Sequence, residues 1–411
     1  MDQITQHKAN FYPPRLNPFL VRLAQFIAPS AVRWFFKFEL VVSHESLTKI
    51  DSLKNQRLLL LPNHPTFQDP IVMFVLSAQL KQTFYYLAAY ELFMSSLGGI
   101  VQQLGVYSIR RGLVDRKSIA QTLKLLTQPG CRLVIFPEGG CSFQNDTVMP
   151  FRVGAVQIAF QYMSKTVLLG EPVPDLYLLP VSIKYRYTQD MSQVINQTLR
   201  HLEQALNLKI VSLSSSYQRL RAIALAVLVK VELDYELHTD ETSTQWEQRI
   251  SRLRTYILEN CEQQLGIAHN ANEPVRERTY RIEYALKTKA DALEFEEAMP
   301  KSDMLEGVRA SNFQLIEKSV KRLLNFDAIY DGYVAEAPTS ERFLDTLTRL
   351  EREVFDIDKP SPKGYRQARI KVGEPLNLKD FFADYQSDRT HTVDTVMLKI
   401  QQAVQNNLGS L

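Results

Sequence analysis

The heptapeptide Asn63-His64-Pro65-Thr66-Phe67-Gln68-Asp69 holds a histidine and an aspartate separated by four residues, directly after the apolar run Leu58-Leu59-Leu60-Leu61. A neutral imidazole within reach of a carboxylate is held in one tautomer and is stabilised when it takes up a proton. A general base acting on a hydroxyl requires both. No serine in a Gly-x-Ser-x-Gly setting accompanies the pair, which points to the substrate as the source of that hydroxyl. The same residues also have a purely structural reading. Asp69 ahead of Pro70 and the apolar run Ile71 to Leu80 is a helix N-cap followed by proline at the first helical position.

Three further segments each read as a short apolar strand running into polar or glycine-rich residues. They are Gly105-Val106-Tyr107-Ser108-Ile109-Arg110-Arg111, Val134-Ile135-Phe136-Pro137-Glu138-Gly139-Gly140-Cys141-Ser142, and Leu178-Leu179-Pro180-Val181-Ser182. Ligands of open α/β sheets bind at strand ends. The first segment places two arginines there, whose forked guanidinium groups suit phosphate or carboxylate oxygens. The second places Glu138 beside Gly139 and Gly140, where backbone amides can come close to a ligand. Arg152, just ahead of Gly154-Ala155, adds a cation at a helix start.

In order and spacing these blocks resemble the glycerolipid acyltransferase family, which includes the lysophosphatidate and glycerol-3-phosphate acyltransferases. The N-H-x4-D block is matched by Asn63, His64 and Asp69, the G-x-x-x-I-x-R block by Gly105, Ile109 and Arg111, and the F-P-E-G block by Phe136, Pro137, Glu138 and Gly139. The last block is matched loosely around Pro180. Two positions depart from the family pattern. Gly140, Cys141 and Ser142 stand where threonine, arginine and serine usually follow Glu-Gly, and Tyr90 stands where a lysine commonly precedes Glu-Leu. Both departures remove a cation from the substrate side and leave the base and its carboxylate in place.

The resemblance implies acyl transfer from a thioester, on acyl carrier protein or coenzyme A, to a hydroxyl of a glycerolipid acceptor such as lysophosphatidate. His64 would be the general base and Asp69 its orienting acid, with the carbonyl passing through a tetrahedral oxyanion. Backbone amides near the His64 turn or the Gly139-Gly140 turn are the candidate oxyanion donors. Arg111, assisted by Arg110 or Arg152, would hold an anionic head group, and Glu138 would bind acceptor hydroxyls or brace its loop. Adjacent strand residues point to opposite faces, so Arg110 is equally a solvated partner of a nearby acid. A non-catalytic lipid- or carrier-binding protein on the same fold, and a thioesterase using water, are the alternatives.

To position these residues the chain needs an α/β sandwich with a mixed sheet. Strands are expected near Leu40-Val42, Leu58-Leu61, Thr83-Ala88, Gly105-Ile109, Leu133-Phe136 and Leu176-Tyr185. Helices are expected near Pro70-Leu80, Val114-Leu126 and Gly154-Met163. The run Arg366 to Val372 ahead of Gly373-Glu374-Pro375 resembles the family's closing strand, with a terminal helix from about Val393 to Leu408. The expected organisation is therefore an acyltransferase core at 41–187, a large helical insertion at 188–364, and the core's closing strand and helix at 365–411. In the insertion, the stretch from Thr244 carries Trp246, Ile250, Leu253, Ile257, Cys261 and Leu265 at helical spacing. Pro338-Thr339-Ser340-Glu341 opens another helix, with Phe343, Leu347, Leu350 and Val354 on one face. A lid, a carrier-docking surface and a structural buttress are all compatible with it.

Composition bounds the rest. The 411 residues, 45% of them hydrophobic, suffice for a full core, and a net charge of +3 argues against nucleic acid as partner. The three cysteines, Cys131, Cys141 and Cys261, lack C-x-x-C spacing, so neither a metal site nor a disulfide framework is indicated, and a reducing cytoplasm is the default; no cofactor is expected. Residues 1–10 lack the order of a secretory signal, and no apolar run is long enough to span a bilayer. Residues 1–40 read instead as a membrane-interfacial segment. Between Phe11 and Leu40, Phe19, Leu20, Leu23, Phe26, Ile27, Trp34, Phe35, Phe36 and Phe38 mix with Arg15, Arg22, Arg33 and Lys37. Pro18 and Pro29 would break it into two short helices. Attachment is expected to be peripheral, on the cytoplasmic face of a membrane, with packing onto the core as the structural alternative.

Overall fold

A computed structural model of the chain describes residues 11–209, 215–237, 245–270, 273–296, 303–326 and 332–411. Residues 1–10 and Thr244, both part of sequence readings, lie outside them. The chain divides into two compact units. The first takes in the described residues up to Ile109, then Asp115–Gln189 and Gly364–Leu411; the second takes in Arg110–Val114 and Asp190–Lys363.

The first unit is built on a mixed sheet of eight strands: β1 Phe38–Val42, β2 Arg57–Pro62, β3 Tyr85–Ala89, β4 Val106–Ile109, β5 Arg132–Val134, β6 Leu176–Tyr187, β7 Arg366–Val372 and β8 Leu376–Asn377. The order is β1-β7-β6-β2-β5-β3-β4, with β8 also paired to β6. β2 runs parallel to both its neighbours, from Leu58↔Arg132 on one side and Arg57↔Leu176 on the other. β7 returns antiparallel to β6, from Val181↔Val372 to Tyr187↔Arg366. β8, not anticipated from sequence, pairs with the first part of β6 after the Gly373 turn, whose amide donates to Pro180 O at 2.9 Å.

Leu58-Leu59-Leu60-Leu61 is apolar throughout because a central parallel strand is covered on both faces. Leu59 and Leu61 join one core with helices Gly154–Leu168 and Arg389–Gly409; Leu58 and Leu60 join the other with helices Pro18–Phe35 and Asp69–Gln79. All four leucines are fully buried.

Helix Pro18–Phe35 is a single helix and corrects the expected break at Pro29. Asn17 caps it by accepting from the amides of Phe19 and Leu20, and Pro18 sits at its first position, where no amide is needed. Pro29 is solvent-exposed, while Val21, Gln25, Ala28 and Val32 are buried along the inner face. Gln25 Nε2 donates to Ser77 Oγ at 3.1 Å and to Gln82 O at 2.8 Å. Packing on helix Asp69–Gln79 offsets the hydrogen bond lost at proline. β1 starts at Phe38, which is fully buried, so the sheet begins inside the segment read as interfacial.

In the second unit the described elements are helices: Ser192–Ala205, Ser216–Asp234, Trp246–Leu265, Val275–Glu296, Asp303–Phe326, Tyr333–Glu336 and Ser340–Phe355. Ile250, Leu253, Ile257, Cys261 and Leu265 are buried along one face, as their spacing predicts, and Thr339 caps the last helix. Several buried charges are paired. Arg249 meets Glu232 at 2.5 Å, and Glu262 receives Arg278 at 2.8 Å and Arg281 at 3.1 Å.

Candidate active site

β2 ends at Pro62, and Asn63 extends its pairing with β6 by side chain. Asn63 Nδ2 donates to Ile183 O at 3.0 Å and Ile183 N donates to Asn63 Oδ1 at 2.7 Å. The next residue, His64, is thereby delivered at the carboxyl end of a central strand. Asn145 makes the same two-way pairing with the Tyr185 backbone, at 2.7 Å each way.

His64 Nδ1 lies 2.7 Å from Asp69 Oδ2. A carboxylate offers only acceptors, so Nδ1 carries a proton, and in the neutral imidazole Nε2 keeps its lone pair for a substrate. Asp69 is fully buried and its carboxylate is held from several sides. Thr66 N donates to Oδ2 at 2.8 Å, Thr66 Oγ1 to Oδ1 at 3.0 Å and Tyr185 OH to Oδ1 at 2.7 Å. The N-cap reading of Asp69 is not realised: Gln68 occupies the cap position with no side-chain cap bond, and the Asp69 carboxylate turns back toward the loop.

Tyr185 is buried on β6 and lies under Arg366, whose guanidinium is 4.4 Å from the ring centre. Arg366 Nη2 also donates to Gln68 Oε1 at 2.6 Å. Neither residue was singled out by motif, although both lie in strands read from sequence. Alternation along β6 assigns a face to Tyr185 but not a partner.

The loop after β5 closes on the His64 turn. Glu138 is buried, and its Oε1 accepts from the His64 amide at 2.7 Å, so this carboxylate braces the base. His64 O accepts from the Ser142 amide at 2.8 Å, and Gly139 N donates to Phe136 O at 3.1 Å. Two of the amides considered as oxyanion donors, those of His64 and Gly139, are thus engaged within the protein; Gly140 belongs to the same turn. Gly139 has φ +75°, and a Cβ there would lie 2.6 Å from Arg152 Nε. Only glycine suits both the backbone and the guanidinium against it. Arg152 N in turn donates to Pro137 O at 2.9 Å. The terminal helix holds the residues just before Arg152 through Gln401, which accepts from Phe151 N, and Gln405, which accepts from Val148 N.

Aromatic rings line the pair. The His64 and Phe136 rings lie 4.4 Å apart, and Phe67 meets Phe143 edge-on at 5.2 Å. Cys141, read from sequence as a missing arginine, lies against the base itself, its Sγ 3.6 Å from Nε2 and 3.8 Å from Nδ1. Burial alone would lower the His64 pKa, but the Cys141 sulfur and the Asp69 carboxylate outweigh it and hold the imidazole well above its ordinary value.

Arg110 and Arg111 fall in the second unit. There Arg111 lies over the Tyr280 ring at 4.3 Å and meets Glu283 at 3.4 Å. Gly112 beside it packs so closely that a Cβ would lie 2.3 Å from Tyr280 O. Among the described residues no cluster of histidine, cysteine and carboxylate side chains is arranged to hold a metal ion.

No curated protein matches the chain. Residues 41–184 match the family model for Acyltransferase. That span runs from the end of β1 through most of β6 and contains His64, Asp69, Arg110, Arg111, Glu138, Gly139, Gly140 and Arg152. With this match on the mixed α/β sheet, residues 41–184 form an acyltransferase domain, which supports the resemblance to the glycerolipid acyltransferase family.

Proposed function

We propose that the protein moves a fatty acyl group from a thioester on acyl carrier protein or coenzyme A to a hydroxyl of a glycerolipid or related alcohol. His64 acts as general base and Asp69 orients it. The observation that carries this reading is the 2.7 Å contact between His64 Nδ1 and a fully buried, multiply bonded Asp69 at the end of a central strand. As the acceptor oxygen attacks the thioester carbonyl, His64 Nε2 takes its proton and the imidazolium is stabilised by Asp69. Collapse of the tetrahedral oxyanion expels the donor thiolate, which takes the proton from His64. A role for Arg110 and Arg111 toward an anionic head group rests on the resemblance alone.

We place the reaction at a membrane surface, on its cytoplasmic face. The outer side of helix Pro18–Phe35 supports peripheral attachment. It exposes Phe19, Leu23, Phe26, Ile27 and Trp34, with Phe26 85% and Trp34 83% exposed. Such an apolar stripe beside basic residues suits an interfacial helix. Leu92, Met94, Leu97 and Ile100 are also exposed, on a segment tied to the start of that helix through Asn17 N and Gln103 O at 2.8 Å. Among the described residues no helix is long and apolar enough to cross a membrane. The described cysteines are free thiols, which suits a reducing compartment.

Product analysis with the purified chain tests the reaction. Palmitoyl-coenzyme A and palmitoyl-acyl carrier protein are each offered with lysophosphatidate, monoacylglycerol and a long-chain alcohol. An esterified product is expected. Free palmitate alone would mark a thioesterase and overturn transfer, and no turnover with either donor would favour a binding protein.

A further inference from the structure

Asp69 is fully buried, and among the described residues its carboxylate touches no lysine or arginine. While the imidazole is neutral, the site therefore holds a buried negative charge with no counter-ion in contact, which is costly unless hydrogen bonds and a cation close by offset it. Arg366 is such a cation. Its Nη2 donates to Gln68 Oε1 at 2.6 Å, and its guanidinium lies 4.4 Å from the centre of the Tyr185 ring, whose hydroxyl donates to Asp69 Oδ1 at 2.7 Å. Resting on the reading of His64 as general base, we propose that Arg366 is a positioning residue for that base, acting on Asp69 through Tyr185 and on the loop between His64 and Asp69 through Gln68.

The fold directs the side chain there. Arg366 opens β7, where it pairs with Phe38 of β1 and Tyr187 of β6, and its amide donates to Lys37 O at 2.9 Å. Arg366, Ala368, Ile370 and Val372 share the buried face of β7. Tyr185 stands opposite Ala368, so Arg366 is its diagonal neighbour on that face, a separation that long side chains span. Phe38 meets the same ring edge-on at 6.4 Å and helps to fix it. Among the described residues no carboxylate pairs with Arg366, so its charge bears on the ring and on Gln68. Tyr185 and Arg366 both lie beyond the span 41–184 that matches the acyltransferase model, and the support of Asp69 thus draws on the closing strand of the unit.

A cation over the ring polarises the phenol, and a polarised donor strengthens the next bond in a chain. Burial and the Asp69 charge hold the Tyr185 hydroxyl well above its ordinary pKa, with Arg366 opposing them, so the hydroxyl stays protonated and donates. Charge drawn from Asp69 toward Tyr185 no longer favours the imidazolium. Loss of Arg366 should therefore raise the pH at which His64 titrates, and loss of its hold on Gln68 should loosen the geometry on which transfer depends.

The test uses the full chain, labelled at histidine for NMR, with His64→Ala identifying the His64 signal. In Arg366→Gln the His64 midpoint should move to higher pH, and in Arg366→Lys, which keeps the charge, it should stay near the wild-type value. Transfer is measured with whichever of palmitoyl-coenzyme A and palmitoyl-acyl carrier protein the wild type uses. In Arg366→Gln kcat should fall roughly 10- to 100-fold with KM for the donor little changed, the cost of a misplaced catalytic group. In a Tyr185→Phe background Arg366→Gln should move the midpoint less than it does in the wild type, because the hydroxyl that carries the effect is gone. A folded Arg366→Gln with wild-type kcat overturns the inference, and so does one whose His64 midpoint is unmoved or one that acts equally in both backgrounds. Should Arg366→Gln not fold, Gln68→Ala decides: it leaves the buried cation in place and releases only its hold on the loop, and an unchanged kcat overturns the inference. Near-normal transfer by His64→Ala would instead overturn the reading of His64 as base.

Discussion

The Tyr185 hydroxyl donates to Asp69 Oδ1 at 2.7 Å, tying strand β6 to the first residue of the helix that follows the candidate base. Asp69 Oδ2, the other oxygen, is the one that faces His64. The orientation of the imidazole therefore depends on a residue far away in sequence. Tyr185→Phe removes one hydrogen bond to a buried carboxylate, and stability should fall by about 1.5–3 kcal/mol. With one donor fewer, the carboxylate pulls harder on the imidazolium, so the pH at which activity appears should rise. Urea unfolding and a pH–rate profile check the two effects, and a variant unchanged in both would show the contact to be idle.

The same pair sets the pH dependence. Burial lowers the His64 pKa, while Cys141 and Asp69 raise it by more, leaving it well above 6.5. The base works in its neutral form, so kcat/KM should rise with pH through an apparent pKa well above 6.5. Asp69→Asn removes one raising cause, moving this limb to lower pH while lowering the plateau. For stability the sign is opposite: the favourable imidazolium contacts contribute fully below the unfolded value and are lost as pH rises through the raised folded value. A wild-type limb near 6.5, or one unmoved in Asp69→Asn, would contradict this.

Membrane attachment should be removed by substitution rather than truncation. Cutting at residue 40 would remove Phe38 from β1 and strip Val21, Ala28 and Val32 from the core, so loss of binding would be confounded with unfolding. Phe26→Glu with Trp34→Glu alters only exposed positions. The double variant should remain folded and fail to float with anionic liposomes, because basic residues alone give only salt-sensitive attraction. Flotation equal to wild type would rule out this face as the anchor.

Asn63 should matter for folding as well as for placing the base. Asn63→Ala leaves the buried Ile183 N–H and C=O without the side chain that pairs them. The cost should be on the order of 1–3 kcal/mol for each group left unpaired. Chemical denaturation measures it, and a loss below the range for a single group would mean that the strand end closes without Asn63.

The strand that delivers His64 was legible because a short run of four leucines bounded by polar residues fits a strand covered on both faces. The His64–Asp69 contact was legible from type and spacing, although the competing cap reading could be dismissed only once the carboxylate was seen to turn toward Thr66 and Tyr185. Pro29 misled because a proline on the exposed side of a helix is tolerated when the inner side is held by packing. Tyr185 and Arg366 escaped notice because a strand's alternation says which face a residue occupies and not what crosses it. Cys141 registered as a missing cation. Its approach to His64 depends on the left-handed turn at Gly139, which no spacing rule encodes.

The most direct measurement is the transfer rate of His64→Ala with a donor and acceptor that the wild type uses, alongside its circular dichroism and unfolding midpoint. A positioned general base contributes about two to four orders of magnitude. The variant should therefore lose that much in kcat while keeping its fold, since Glu138 is held by the backbone amide of residue 64 and not by its ring. Near-normal transfer by a folded His64→Ala would contradict the assignment of His64 as the base.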